Sequence, residues 1–206
     1  MVTKITTLLL ALVLIAVPAS AQQLFDFLGQ ADVPDAVGGT LSMHSIMPEV
    51  SPPVYPPLPL DFDNFEYTLV VTGLGLDDLG VGTYPLQTYS GGTIAIYEDA
   101  GTAADYANPG TFTDGTAILV GNVTLLTRQV FTATIGSIAG SVDWTGGTQL
   151  NEFAPVDQLN WSFLSGINQN NAEPGYDEQW DGKVEPQGPI VETESQSWGT
   201  FKAFMR

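Results

Sequence analysis

FTATIGSIAGSVDW, residues 131–144, is the longest β-like run of the chain. Phe131, Ala133 and Ile135 alternate with polar neighbours, and Ile138, Gly140, Val142 and Trp144 then alternate in the opposite parity. A period of two cannot change parity without an extra residue, so the stretch predicts a β-bulge or bend at Gly136-Ser137. Gly146-Gly147 ends it.

The same alternation recurs on both sides. Phe65, Tyr67, Leu69 and Val71 share one face of a strand. Thr40 to Met47, Thr93 to Tyr97, Ala117 to Leu126, Leu159 to Leu164, Gln179 to Val184 and Ser197 to Met205 read as further strands. Turn signals such as Ser90-Gly91-Gly92 and Asp114-Gly115 punctuate them, and no segment sustains a helical period with caps. These features predict an all-β protein, an antiparallel β-sandwich or jelly-roll-like single domain. Its core is expected to include Tyr67, Leu69, Val71, Ile94, Ile96, Ile118, Val120, Phe131, Ile135, Val142 and Trp144.

Residues 1–21, MVTKITTLLLALVLIAVPASA, read as a secretory signal peptide. Lys4 forms the n-region, Leu8 to Val17 the apolar run, and Ala19-Ser20-Ala21 the small-residue exit after Pro18. Cleavage after Ala21 would leave Gln22 as the first residue, and the protein secreted or periplasmic. Residues 22–39 read as a lead-in, a short helix or an edge strand followed by a polar loop, with the β-domain over 40–206. Pro48 to Pro59 holds Pro48, Pro52, Pro53, Pro56, Pro57 and Pro59, which forces an extended surface crossover rather than a central strand.

The formal net charge is −18, from 23 acidic and 5 basic residues. Losing Lys4 makes it −19, with Arg128, Lys183, Lys202 and Arg206 as the remaining cations. No basic patch exists to neutralise phosphates, so nucleic acid is excluded as a partner and anionic membranes are disfavoured after cleavage. The chain has no cysteine, which removes disulfides, thiolate metal sites and a cysteine nucleophile. His44 is the only histidine, too few for a histidine zinc site, and it reads as a plain surface residue. No phosphate-binding loop or nucleophile elbow occurs.

Carboxylates are the abundant reactive groups. Asp61, Asp63, Glu98, Asp99 and Asp114 cluster at strand ends and turns, where hard oxygen donors suit Ca²⁺. A bound ion would also relieve self-repulsion. Paired carboxylates could serve a glycosidase, although any acidic surface offers such pairs. Trp144 and Trp161 sit in apolar alternation and belong to the core. Tyr176 and Trp180 lie among charged and turn residues and are the exposed candidates for stacking on a sugar.

Four stretches, DFDNFEYTLVVTGL (61–74), GGTIAIYEDAGTAADYANPGTFTDGTAIL (91–119), GYDEQWDGKV (175–184) and WGTFKAFMR (198–206), resemble a group of uncharacterised secreted bacterial proteins. Many of that group carry a C-terminal Pro-Glu-Pro sorting tail, which is absent here. The resemblance implies export and a β-rich fold, and no activity. The expected role is therefore an exported non-catalytic protein with a structural, matrix or surface-interaction function. The alternatives are a carbohydrate-binding module for extracellular polysaccharide, stabilised by calcium, and a carboxylate-dependent hydrolase.

Overall fold

A computed structural model describes residues 22–52 and 54–187. The signal-peptide reading, the expected strand Ser197–Met205 and the WGTFKAFMR stretch lie outside these residues. Eleven strands are described. They are β1 (Gln22–Gln23), β2 (Phe25–Asp32), β3 (Thr40–Ile46), β4 (Val54–Tyr55), β5 (Glu66–Asp78), β6 (Leu86–Ser90), β7 (Gly92–Asp99), β8 (Thr116–Val130), β9 (Ile135–Gly146), β10 (Trp161–Asn168) and β11 (Glu178–Glu185).

All pairings in the main sheet are antiparallel, and each lane pairs with the next in sequence. β6 and β7 share one lane. Both pair with β5 on one side and with β8 on the other, and only Gly91 separates them. Gly91 has φ +77°, a left-handed conformation that glycine adopts without strain, so the strand kinks there and resumes. Finally β11 pairs with β2, from Val184 opposite Phe25 to Glu178 opposite Ala31. That pairing closes the ring. The fold is an eight-stranded antiparallel up-and-down barrel.

The expected sandwich or jelly roll is thus corrected. Regular strands with regular turns suit two packed sheets and one closed sheet equally. The choice rests on β2 meeting β11, a long-range pairing with no local signature. The segment read as a lead-in supplies β2 itself.

Inside the barrel the expected residues Tyr67, Leu69, Val71, Ile94, Ile96, Ile118, Val142 and Trp144 are buried, joined by Phe25, Phe27, Trp161, Phe163 and Trp180. Three expected core residues differ. Val120 is half-buried, while Phe131 and Ile135 are 47% and 54% exposed. For Phe131 and Ile135 the cause is a misplaced parity switch; Val120 sits at a register shift of β8. Residues 131–134 are a hairpin connection between β8 and β9, in which the Thr132 hydroxyl accepts the Thr134 and Ile135 N–H groups. The β9–β10 register then runs unbroken through Gly136 and Ser137, so no bulge exists there. The register shifts of this region lie at Val120/Gly121 and Val123/Leu125.

The connections at the two ends differ. At one end lie the short links 33–39, 79–85, 131–134 and 169–177. At the other lie the long links 47–65, 100–115 and 147–160. The Pro-rich crossing packs across the long-loop end. Leu58 is 2% exposed, and Leu60, Phe62 and Phe65 pack on the core. The parallel β1–β4 pair fastens it.

Candidate functional site

The links 47–65 and 100–115 leave a groove of about 430 Å³ between them. The β5–β7 pairing creates it by setting Glu66 opposite Asp99 and Tyr67 opposite Glu98. Phe62, Asp63, Asn64, Phe65, Glu66, Asp99 and Thr102 line it, with Tyr67 as its inner wall. The Tyr67 hydroxyl donates to Glu98 Oε2 at 2.7 Å and accepts the Asp61 N–H at 3.0 Å. Burial, chiefly, pushes that hydroxyl up to about 12.

Most carboxylates here already accept from internal donors, two of them from backbone. Asp99 Oδ1 and Oδ2 accept the N–H groups of Gly101 and Thr102, at 3.0 and 2.9 Å. Glu66 Oε1 accepts the Ala104 N–H at 2.8 Å, and Asp61 Oδ2 accepts from Asn64 Nδ2 at 2.8 Å. An Asp that bonds the N–H two residues on shapes its own turn. Of the five expected calcium ligands, Asp63 and Asp99 line the groove, and Asp61 and Glu98 meet through Tyr67. Asp114 is exposed on the 100–115 link, outside the groove lining. Among the described residues no three histidine or carboxylate groups converge in a metal-binding arrangement.

The expected stacking pair is divided by the barrel wall. Trp180 is fully buried inside, its Nε1 donating to Glu178 Oε2 at 3.0 Å. Tyr176 is half-buried outside. It packs edge-on against Tyr106, with ring centres 5.9 Å apart, and donates from its hydroxyl to the Tyr106 carbonyl at 3.3 Å. The 100–115 link folds back over this wall. Its Phe112 carbonyl accepts from the Thr68 hydroxyl at 2.7 Å, and the Tyr106 hydroxyl donates to the Leu28 carbonyl at 3.1 Å. His44 lies beneath it, 5.4 Å from the Phe112 ring centre, and is not the plain surface residue expected. Its Nδ1 is buried without a partner. Burial lowers its pKa, and Asp32 draws it back in part.

Sequence reasoning missed a polar cluster inside the barrel. Arg128 on β8 reaches across the lumen to Glu178 on β11. Its Nη2 donates to Glu178 Oε1, its Nε to Oε2 at 3.1 Å, and its Nη1 to Gln87 Oε1 at 2.6 Å. Gln169 Nε2 donates to Glu178 Oε1 at 2.9 Å, and the Tyr89 hydroxyl donates to Gln87 at 2.9 Å. Burial alone would raise the Glu178 pKa. The hydrogen bond and charge of Arg128, with Gln169 and Trp180 as further donors, outweigh that and hold it below the ordinary 4.5. A signal did exist. Glu178, Trp180 and Val184 share one parity, so an inward tryptophan implies an inward glutamate.

Comparison with protein-family models, curated proteins and solved structures gives no match.

Proposed function

We propose that this chain is an exported, non-catalytic β-barrel that serves as a rigid structural or surface-interaction module outside the cytoplasm. The filled lumen carries the reading. Eight strands enclose a space that side chains can fill or that can hold one small ligand. Here Trp144, Trp161, Trp180, Phe27 and Phe163, each at most 1% exposed, occupy it. The polar side chains around Arg128 and Glu178 are bonded to one another, and Trp144 Nε1 is the inward polar atom left without a partner among the described residues. Export is supported by the Met1–Ala21 pattern and the lack of cysteine. An aqueous setting is supported by Asp26, Thr72, Thr93, Ser162, Asp181 and Lys183, which alternate with the buried set and lie on the outer wall. A lipid-facing wall would carry an apolar band there.

A second reading, a carbohydrate-binding module, is favoured by the groove alone. Phe62 and Phe65 stand there beside Asp63 and Asn64, apolar faces next to hydrogen-bonding groups as sugars require. A screen of the exported protein against a glycan array separates the two readings. The module reading expects no glycan bound and no polysaccharide cleaved. Glycan binding lost in Asp63→Ala would replace it with the second reading, and turnover of any polysaccharide would refute a non-catalytic role. Melting at fixed ionic strength in Ca²⁺, Mg²⁺ and chelator belongs to the same experiment. Equal curves are expected, because Asp61, Glu66 and Asp99 already spend oxygens on internal donors. A gain specific to Ca²⁺ would restore a calcium site.

A further inference from the structure

We infer that the short-loop end of the barrel is a self-association surface, on which two copies of this chain meet end to end. Exposed apolar side chains collect there. Val81 is 93% exposed, Val37 60%, Ile135 54%, Tyr84 51%, Leu86 48% and Phe131 47%. They sit on, or next to, the links 33–39, 79–85 and 131–134, which follow one another in the ring order of the strands. The Gly38 N–H donates to the Leu76 carbonyl at 2.9 Å, tying 33–39 to β5. Gln129 Nε2 donates to the Tyr84 carbonyl at 3.2 Å, tying 79–85 to β8, and the Phe131 N–H donates to the Ile135 carbonyl at 2.8 Å. The tips therefore follow one another along an arc of three of the four short links at this end.

The amount of surface fits a dimer. Those exposures correspond to roughly 600 Å² of apolar-residue surface, and a stable interface takes roughly 800 Å² from each partner. The links that carry the tips can supply the remainder. Roughly 600 Å² is the upper end of what a soluble monomer leaves uncovered, and patches of that size are often functional.

The occupant follows from charge and topology. Asp35, Asp77 and Asp78 are exposed beside the tips. Pressing the arc into a lipid surface would drag these carboxylates into the headgroup layer. Between two barrels the tips can meet while these exposed carboxylates keep their solvent. The closed sheet leaves none of its eight lanes with a free edge, so strand-to-strand pairing is not a route to assembly. An end face presented to its own copy gives an isologous contact that closes after two subunits. The proposal stands on the exposed arc and does not depend on the module reading above.

The carboxylates give it a signature. Two acidic rims repel, so salt should strengthen the dimer rather than weaken it. The test is sedimentation velocity on protein produced by export of the complete chain, at about 50 mM and about 500 mM salt. A monomer–dimer equilibrium that tightens severalfold with salt is expected. Val81→Asp and Phe131→Ser, both on exposed tips and checked for unchanged melting, should each weaken it about tenfold or more. Leu164→Ser, on the side wall, should not. A monomer at every concentration and salt overturns the proposal. A dimer indifferent to both rim substitutions overturns it too, because another face is then responsible. Rim-dependent binding of phosphatidylcholine vesicles by a strictly monomeric protein would give the arc to lipid instead.

Discussion

Replacing Glu178 by glutamine tests the lumen-spanning pair without changing its volume. Glu178 is fully buried and its two oxygens receive four donors. Oε1 takes Arg128 Nη2 and Gln169 Nε2, and Oε2 takes Arg128 Nε and Trp180 Nε1. A glutamine offers one oxygen and one NH₂. In either orientation, two donors then face a donor. The substitution also leaves the Arg128 guanidinium, itself 8% exposed, with neutral acceptors alone, the amide oxygen and Gln87. Breaking a buried pair from one side costs about 3–5 kcal/mol, and the surviving bond to Gln87 places this case near the lower figure. Urea unfolding followed by tryptophan fluorescence, with Trp180 beside the change, measures it. Arg128→Met combined with Glu178→Leu should recover most of the loss, because no unpaired charge remains. The pH dependence carries the same information. A carboxylate held below its ordinary 4.5 contributes stability that is complete above that pH and is lost as pH falls through the folded value. The parent and Glu178→Gln should therefore differ fully at neutral pH and converge in acid below 4.5. A loss under about 1 kcal/mol at neutral pH, or a double variant less stable than either single one, would refute the reasoning.

Burial, first among the causes in each case, pushes the hydroxyls of Tyr67, Tyr89 and Tyr106 up to about 12 from an ordinary 10.0. Stability that depends on their neutral form is intact below pH 10 and lost as pH climbs towards 12, so tyrosinate absorbance should lag and then rise with unfolding. Complete titration near pH 10 by a still-folded protein would contradict this. Trp161 Nε1 donates to the Asp157 carbonyl at 2.6 Å, whereas Trp144 Nε1 is buried without a partner. Trp161→Phe should therefore cost about 1 kcal/mol more than Trp144→Phe in denaturant unfolding, and the reverse order would be decisive against it. Ile138→Ala, at 2% exposure, should cost about 2–4 kcal/mol, while Ile135→Ala, at 54%, should stay within about 0.5 kcal/mol. Comparable losses in thermal melts would place both residues in the core after all.

Local alternation made much of the wall readable. Tyr67, Leu69 and Val71 face inward as a period of two demands, and so do Val142 and Trp144. The same rule failed where a turn hid. Phe131-Thr-Ala-Thr134 contains none of the glycine or asparagine that marks most hairpins, and a threonine hydroxyl organises it instead. Read as strand, those residues forced an imagined bulge and put Phe131 and Ile135 inside. Trp180 misled for a different reason. Its flanking charges suggested solvent, yet Asp181 faces out and Glu178 faces in, each satisfied in its own setting. Ion pairs across a lumen join residues far apart in sequence and leave no spacing to recognise. The acidic turns around Asp61 and Asp99 were located correctly. What one sequence could not reveal was how many of their oxygens neighbouring donors would claim.

The seam between β2 and β11 bears on how the barrel comes into being. A chain that emerges from its amino end, whether from a ribosome or through a pore, presents the first described barrel strand early and the last one late. Until Glu178 to Glu185 arrive, every earlier strand belongs to a sheet with two open flanks, and β2 and β10 each wait with unpaired backbone groups. Partial structures are therefore sticky and incomplete, and the decisive contact spans nearly the whole sequence, which makes folding slow. A barrel sealed by its last described strand remains threadable until that strand has passed, and becomes resistant to unravelling only when it docks.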